Sequence, residues 1–367
     1  MSKILNIKLH IITPIHIGTD DVYEPFSFVI DEKKRVLIEF DQLKLMDFLQ
    51  SDDIQRLASI AEKEDLLLIY KTLKNLYEKY KAKYHGDEVS VPEELIRRYL
   101  EILRMGYFNT EAKEAINKFQ IHKTIYNPND KNPYIPGSSI KGSIRTAYLS
   151  YLAEKLGIKN WTAKADELET RLLSRGTGRE KMTTDPFRML KVSDFMPQTQ
   201  VRRSILYAVN RKKELSGGQS AAQRRGLYQL LETVMPGSVF SGTIKLDKPA
   251  REDIISSPIP EKFLKALNYF YSKIFEQEAK FIKHLGQPID YYETVKKMLN
   301  ENSYLIRIGK HSGAEAVTIE GNRRIKVRTR RGYEDRSSPT TIWLSAPSPR
   351  VNQGLKPFGW AVLEIIQ

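Results

Sequence analysis

Residues 133–145, with the sequence PYIPGSSIKGSIR, combine a tight turn with the first turns of a helix. Pro136 has a fixed φ and Gly137 tolerates positive φ, which predicts a turn at these two residues. Ser138 or Ser139 is suited to cap the helix, because a serine hydroxyl accepts from main-chain N–H groups of the first turn. Apolar residues then recur at helical spacing and predict one buried face: Ile140, Ile144, Ala147 and Tyr148.

Two cations follow on the other face of this predicted helix. Lys141 and Arg145 are four residues apart, and cations beside the free N–H groups of a helix start favour a phosphate site. Gly137 and Gly142 also have the GxxxxG spacing of a nucleotide-binding P-loop, which needs lysine and then serine or threonine after the second glycine. Here Ser143 follows directly, which argues against ATP or GTP. An RNA-backbone site and an ordinary capped helix remain.

The charge balance narrows the class of partner. The chain has 59 Lys and Arg against 45 Asp and Glu, a net charge of +14, which favours nucleic acid, an acidic partner or an anionic membrane surface. No apolar run approaches the roughly 20 residues that span a bilayer. Because the first residues lead straight into an alternating strand, we expect no signal peptide. The absence of cysteine excludes disulfides and thiolate zinc sites. We expect a cytoplasmic protein without a membrane partner.

The order of hydrophobic patterns predicts an α+β protein. Alternation over residues 5–11 predicts a first strand, and a predominantly helical pattern occupies residues 41–118. The basic, glycine-containing segment 171–184 is expected to be a mobile loop. Strand–helix–strand blocks at both ends suggest an N-terminal domain, 1–250, with a helical insertion at about 41–118, and a C-terminal domain, 251–367. Other predicted elements are a hairpin of 26–30 and 36–40, a helix at 261–282, and strands at 304–308, 316–319, 325–329, 341–344 and 360–366.

A second basic feature lies near the C-terminus. If residues 322–331 form a strand, Arg324, Lys326, Arg328 and Arg330 share one face, about 6.5–7 Å apart, near the phosphate repeat of a nucleic-acid strand. No acidic residue lies within this run. The alternative is a charged edge strand that discourages aggregation. Arginine favours the phosphate interpretation, since its planar guanidinium matches phosphate geometry.

Three further positions invite a chemical interpretation. The loop 309–313, GKHSG, is expected to turn tightly, so that Lys310 and His311 hold a phosphate or stack on a base. His16 follows the first strand, where a histidine is either a hydrogen-bond donor to the backbone or a general base for metal-free RNA cleavage. Asp194 ends another strand, as a catalytic carboxylate or a residue that fixes a turn. We favour the turn.

Taken together, the motifs resemble the RAMP superfamily of CRISPR systems. The glycine-rich helix opening is the most specific motif, and the order of the motifs is similar to that of the family of fifth subunits in type III-A (Csm) complexes. The resemblance covers nearly the whole chain and rests on these segments: TPIHIG at 13–18, IPGSSIKGSIR at 135–145, VSD at 192–194, PGSVFSG at 236–242, RIGKHSG at 307–313 and PFGW at 357–360.

The resemblance implies RRM-like (ferredoxin-like) βαββαβ domains and a subunit at the head of a backbone filament. It implies binding to the 3′ part of the CRISPR RNA (crRNA), contact with the neighbouring backbone RAMP subunit and other Csm subunits, and support of 3′-end maturation by host nucleases in trans. No catalytic residue, metal or cofactor is implied. The RNA contacts that it implies are His16, Gly137, Ser138, Ser139, Lys141, Arg145, Lys310 and His311. The face formed by Arg324, Lys326, Arg328 and Arg330 is added from the alternation alone.

Two alternative functions stay open at this point, and one of them is DNA binding through the same basic surfaces. A metal-independent endoribonuclease that processes CRISPR repeat RNA would use His16 as general base and Lys141 to stabilise charge. The sequence offers no obvious second acid–base partner. In neighbouring backbone subunits of such complexes a loop aspartate cuts target RNA, and Asp194 lies near a comparable place, but we assign it no catalytic role.

Overall fold

The computed structural model confirms the α+β class. Two large sheets and a separate two-stranded hairpin are connected by helices. The structure describes residues 3–25, 27–62, 65–84, 86–105, 114–116, 119–213, 227–249, 254–255, 258–329, 332–350 and 352–366.

The main helices and the strands are numbered here along the chain. The helices are α1 (Gln42–Met46), α2 (Ser51–Ala61), α3 (Leu66–Tyr80), α4 (Glu93–Arg104), α5 (Gly137–Lys155), α6 (Ala165–Leu172), α7 (Glu180–Thr183), α8 (Lys265–His284) and α9 (Asp290–Met298). The strands are β1 (Lys3–Ile11), β2 (Gly18–Val22), β3 (Phe28–Asp31), β4 (Val36–Glu39), β5 (Asp87–Ser90), β6 (Ile121–Thr124), β7 (Leu190–Val192), β8 (Met196–Pro197), β9 (Arg203–Lys212), β10 (Tyr228–Val234), β11 (Val239–Leu246), β12 (Ser303–Arg307), β13 (Ile325–Thr329), β14 (Gly332–Arg336), β15 (Thr341–Ala346), β16 (Lys356–Pro357) and β17 (Trp360–Ile366).

The first sheet has β1 at its centre and the order β12-β17-β1-β11-β7, with β8 paired to β11. All of its neighbouring strands are antiparallel. Ile7, Leu9 and Ile11 are at most 2% exposed, as the alternation predicts. Helices α5 and α8 pack against each other and against strands of this sheet, so the start of α5 lies near the ends of its strands.

The second sheet has the order β2-β6-β10-β9-β5-β4-β3, and β15 and β16 extend it from β9. The predicted hairpin at 26–40 is confirmed as β3 paired with β4. The predicted helical insertion contains α1 to α4 together with the strand β5, and α3 packs on β3. Both sheets combine strands from before and after residue 250, and the division of the chain into 1–250 and 251–367 stays a proposal.

Several local expectations need correction. Segment 171–184 includes the end of α6 and the short helix α7. Arg175 in this segment pairs with Asp185, which also pairs with Arg145 of α5. Residues 314–317 form a 3-10 turn rather than part of a strand at 316–319. Strand β10 was not predicted, although its residues 230–234 are buried. The predicted basic strand is confirmed as β13 by its pairing with β14.

Among the described residues, no helix combines the length and apolar character that crossing a bilayer requires. The same residues contain no cluster of metal-ligating side chains.

Candidate RNA-binding surface

The start of α5 is held by a side chain from another part of the chain. Gly137 is its first residue, and neither Ser138 nor Ser139 caps it, contrary to our expectation. Instead, Asp194 accepts a hydrogen bond from the Gly137 N–H through Oδ1 at 2.8 Å. A carboxylate at this place satisfies a free donor and complements the helix dipole. Asp194 therefore anchors the start of the distant helix α5, which differs from the turn-fixing role that we favoured.

Gly137 is required at this position by the close approach of a neighbouring strand. A Cβ atom there would lie 2.6 Å from the carbonyl oxygen of Ser193 and closer still to that of Val192. Such distances are far below van der Waals contact, so only glycine allows α5 to begin here. At this helix start, Ser138 is exposed and Ser139 is partly exposed.

The first two turns of α5 form one wall of a cavity of about 550 Å³. Ser138 and Ser139 contribute hydroxyl groups, and Lys310 contributes an exposed cation. Ile17 comes from the loop after β1, and Gly18 is the first residue of β2. Three segments that are far apart in sequence thus meet at one surface. They are the segments that carry three of the sequence motifs: 13–18, 135–145 and 307–313.

Main-chain and hydroxyl hydrogen bonds tie these three segments together. The Lys310 N–H donates to the carbonyl of His16 at 2.8 Å, and the Ser143 hydroxyl donates to the carbonyl of Arg307 at 2.7 Å. Gly309 has φ of +87°, and a Cβ atom on it would lie 2.6 Å from the His16 carbonyl oxygen. The cavity is therefore preorganised, which reduces the entropy cost of binding a ligand there.

Arg307 also lines the cavity and was not among the predicted contacts. Its side chain is 2% exposed, and its Nη1 pairs with Glu278 Oε2 at 2.8 Å. Nε donates to the carbonyl of Phe358 at 2.9 Å, and the guanidinium carbon lies 4.6 Å from the centroid of the Trp360 ring. An arginine within the apolar strand sequence YLIRI is the signal that could have identified this position. Asp20 is the acidic residue of the lining.

His16 lies behind the cavity wall and has no exposed surface. Its Nδ1 is 2.7 Å from the carbonyl oxygen of Glu232, which only accepts, so Nδ1 carries the proton and Nε2 is bare. Burial lowers the pKa of His16 to about 4, and the positive charge of Lys310 acts in the same direction. An enclosed imidazole with this pKa is a weak base that does not reach a ribose hydroxyl.

A family model described as the RAMP superfamily matches residues 8–316. The chain belongs to the RAMP superfamily. The match includes the three segments that form the cavity, and it confirms the ferredoxin-like fold class that the resemblance implied.

Individual RAMP proteins extend this result. The chain is 27% identical over 197 residues to the "CRISPR system Cms protein Csm5" of Methanocaldococcus jannaschii, a match that covers 52% of this chain and 42% of that protein. Its fold is similar to a chain in a cryo-EM structure of a Csm–crRNA–target RNA ternary complex of a type III-A CRISPR-Cas system. That likeness has a TM-score of 0.62 and 20% identity, and it covers 99% of this chain and 100% of the other.

The crystal structure of T. onnurineus Csm5 is similar as well. The TM-score is 0.57 at 17% identity, and 97% of this chain and 99% of that chain are covered. The expected resemblance to the fifth subunits of Csm complexes is confirmed by these similarities.

Arg145 of this RAMP chain is engaged within the protein. Its Nη2 lies 2.7 Å from Glu169 and 2.9 Å from Asp185, and its guanidinium stacks over Phe187 with 4.9 Å to the ring centroid. Asp185 also pairs with Arg175 at 3.1 Å. This network attaches the segment after α6 to the side of α5. The geometry gives Arg145 a positioning role and leaves its predicted contact with RNA untested.

Lys141 and His311 lie apart from the cavity lining. Lys141 is half-buried, and its ammonium makes no salt bridge among the described residues; burial and the nearby Lys191 lower its pKa. His311 stacks on Trp343 with 4.4 Å between ring centroids, and its Nε2 is 3.1 Å from Gln229 Oε1. Burial lowers the pKa of His311 to about 3. The imidazole is therefore neutral at pH 7 and supplies no charge to a phosphate.

The basic strand β13 forms a hairpin outside the two large sheets. Lys326 and Arg328 are exposed, in agreement with the predicted alternation, whereas Arg324 is 56% exposed and pairs with Asp335 of β14 at 3.2 Å. The run itself lacks acidic residues, but its partner strand contains Glu334 and Asp335, and Asp335 partly neutralises the row. Arg330 lies outside the described residues.

The burial of His16 leads to a prediction about pH. A histidine whose pKa is lowered on folding binds fewer protons in the folded state than in the unfolded state. The contribution of His16 to the free energy of unfolding is therefore fully present above pH 6.5 and is lost as the pH decreases toward 4. The shift corresponds to roughly 3 kcal/mol. We expect His16→Gln to reduce the loss of stability between pH 7 and 4, measured by urea unfolding, while the exposed His284→Gln leaves it unchanged. An NMR titration midpoint of His16 near 6.5 would contradict this.

Proposed function

We propose that this chain is a Csm5-type subunit of a type III-A CRISPR complex, and that it binds the 3′ part of the crRNA without cutting it. The observation that carries the proposal is the convergence of three motif segments of a RAMP protein on one cavity. Its wall offers the hydroxyls of Ser138 and Ser139 and the exposed ammonium of Lys310. Hydroxyl groups and a cation are suitable donors to the oxygens of an RNA backbone.

The proposal includes the partners of such a subunit. It caps the backbone filament next to a neighbouring RAMP subunit, and it supports maturation of the crRNA 3′ end by host nucleases that act in trans. Within this proposal Lys141, which makes no salt bridge among the described residues, contacts RNA outside the cavity. Arg145 orients the helix through Asp185 and Glu169. Gly137 and His16 act by shaping the site.

The endoribonuclease alternative is not favoured. Its proposed base, His16, is buried with a pKa near 4, and its Nε2 has no hydrogen-bond partner among the described residues that could relay a proton. Metal-free cleavage of RNA requires a base in contact with the ribose 2′-hydroxyl.

Binding of end-labelled repeat–spacer RNA to the purified chain, in the presence of a chelator, tests the proposal. We expect the triple variant Ser138→Ala, Ser139→Ala, Lys310→Ala to weaken binding at least tenfold, or about 1.4 kcal/mol. The slope of log affinity against log salt should fall by about 0.7 for each lost phosphate contact. The RNA should stay intact on a denaturing gel.

The matched control is Lys33→Ala. Lys33 is exposed in the turn between β3 and β4, at the opposite edge of the second sheet from β2. The Lys33→Ala variant removes one positive charge and should leave the affinity for RNA nearly unchanged. Equal affinities of the triple variant and the wild type would refute the cavity as the RNA site. RNA cleavage that is lost in His16→Ala, with 2′,3′-cyclic phosphate ends, would favour the nuclease.

A further inference from the structure

A second cavity, of about 450 Å³, lies where the loop after α5 meets the segment that leads into β13. Its lining includes an indole ring, two guanidinium groups, an amide and hydroxyls, from Trp161, Arg323, Arg324, Asn160, Thr162 and Ser337. No carboxylate is among the lining residues that the structure describes. The volume is within the range of pockets that enclose small organic ligands. A neutral or anionic planar group therefore suits this cavity better than a cation.

The indole of Trp161 is held in place from several sides. The main-chain N–H of Trp161 donates to Asn322 Oδ1 at 3.0 Å, and the indole Nε1–H donates to the carbonyl of Lys164 at 3.1 Å. The guanidinium carbon of Arg171 lies 5.6 Å from the centroid of the ring. The Asn160 N–H donates to the Gly321 carbonyl at 2.9 Å, which joins the two loops. A fixed, half-buried aromatic ring is a platform on which a ligand ring stacks at little entropy cost.

Two arginines flank this platform. Arg324 donates from Nη1 to the carbonyl of Thr162 at 2.9 Å and pairs through Nη2 with Asp335 of β14 at 3.2 Å, and its side chain is 56% exposed at the rim. Arg323 donates from Nη2 to the carbonyl of Glu315, and its Nε–H is buried without a hydrogen-bond partner among the described residues. A buried donor without a partner costs free energy that a ligand acceptor can recover.

The rim continues into the exposed face of the hairpin. Arg324 directly precedes β13, and Lys326 and Arg328 alternate along the strand. Successive members of a row with this two-residue spacing are about 6.5–7 Å apart. This distance is close to the phosphate repeat of an extended single strand. The cavity therefore lies at the end of a track that fits a nucleic-acid backbone.

We propose that this cavity binds one unstacked base of single-stranded RNA, stacked on Trp161, with the adjoining phosphates along Arg324, Lys326 and Arg328. The inference rests on the proposed function, because it assumes that the chain binds RNA, and it adds a second contact region with a base-binding role. Because stacking needs only the face of a ring, we expect the site to accept every base.

The test compares a 12-nucleotide uridine oligomer with an abasic oligoribonucleotide of the same length. We expect Trp161→Ala to weaken binding of the uridine oligomer about 5- to 150-fold, the equivalent of ~1–3 kcal/mol for one stacked base. Affinity for the abasic oligomer should stay the same, and Trp161→Phe should retain most of the wild-type affinity. Tyr151→Ala, which removes an aromatic ring that is 37% exposed elsewhere, is the control without effect.

A second variant avoids dependence on the stability of Trp161→Ala. Thr162 is exposed and lines the cavity, so Thr162→Trp fills the cavity without removing a buried side chain. It should reduce the affinity for the uridine oligomer and not for the abasic one. Equal losses for both oligomers in both variants would mean that the cavity contributes to binding without stacking on a base, and would overturn the inference.

The two proposals fail in different ways. Suppose that Trp161→Ala and Thr162→Trp bind the uridine oligomer like the wild type, while the triple variant of Ser138, Ser139 and Lys310 binds RNA more weakly. The base site is then refuted and the proposed function stands. If the wild-type chain binds neither oligomer nor repeat–spacer RNA, both proposals fail.

Discussion

We expect Glu278→Ala to lower the free energy of unfolding by about 3–5 kcal/mol, the cost of leaving a buried charge without its partner. Glu278 and Arg307 have side chains that are 6% and 2% exposed, and their closest N–O distance is 2.8 Å. The second carboxylate oxygen accepts a hydrogen bond from Trp360 Nε1 at 2.6 Å. The substitution therefore leaves one cation and one indole donor buried without this acceptor. Chemical denaturation at neutral pH measures the loss.

A double-mutant cycle separates the charge from the packing. Replacement of both partners by leucine should recover much of the loss, because two buried apolar side chains leave no charge unpaired. Glu278→Gln retains the shape and one acceptor and should have an intermediate effect. A loss below 1 kcal/mol in Glu278→Ala would show that water or another group solvates Arg307. The result also concerns the first cavity, since Arg307 is part of its wall.

The second large effect is expected from Gly137→Ala at the start of α5. The added methyl group would lie 2.6 Å from the Ser193 carbonyl oxygen, and the atoms in conflict are main-chain atoms that cannot rotate away. The helix start must therefore move from β7, which also disturbs the hydrogen bond from the Gly137 N–H to Asp194. We expect a loss of about 3 kcal/mol, the upper part of the range for overpacking.

Gly142→Ala is the matched control in the same helix. A Cβ atom at Gly142 meets nothing within 4 Å. Alanine has the higher helix propensity, so this variant should be more stable by up to about 1 kcal/mol. The same chemical change is thus expected to have opposite signs five residues apart. Thermal unfolding of both variants checks this, and equal melting temperatures would contradict the close approach of α5 and β7.

Local sequence patterns were sufficient for most elements. The periodic face of α5 and the alternation in β13 arise from contacts within a few residues, and each was predicted within one or two residues. The turn expected at Pro136 and Gly137 is not found, because Gly137 is already the first residue of α5. Strand β10 was missed because a strand buried between two neighbours need not alternate. Residues 316–319 were misassigned because a short apolar run is compatible with a strand and with a 3-10 turn.

The candidate site was only partly predictable for a related reason. Ser138, Ser139 and Lys310 were identified one by one, and the structure brings them to one cavity. Burial of His16 depends on the β10 carbonyl that accepts from its Nδ1–H and on the approach of Gly309. The pairing of Arg145 depends on carboxylates 24 and 40 residues away in sequence. No local pattern contains such information.

The sequence by itself determined the α+β class, a helix start within two or so residues of Gly137, the basic character of the chain and its resemblance to RAMP proteins. These follow from propensities, spacing and composition, which act over short distances along the chain. Only the tertiary structure decided which cations are exposed and which are paired. It enclosed His16, neutralised Arg145 and placed Trp161 beside Arg324, because burial and ion pairing depend on neighbours that folding brings together.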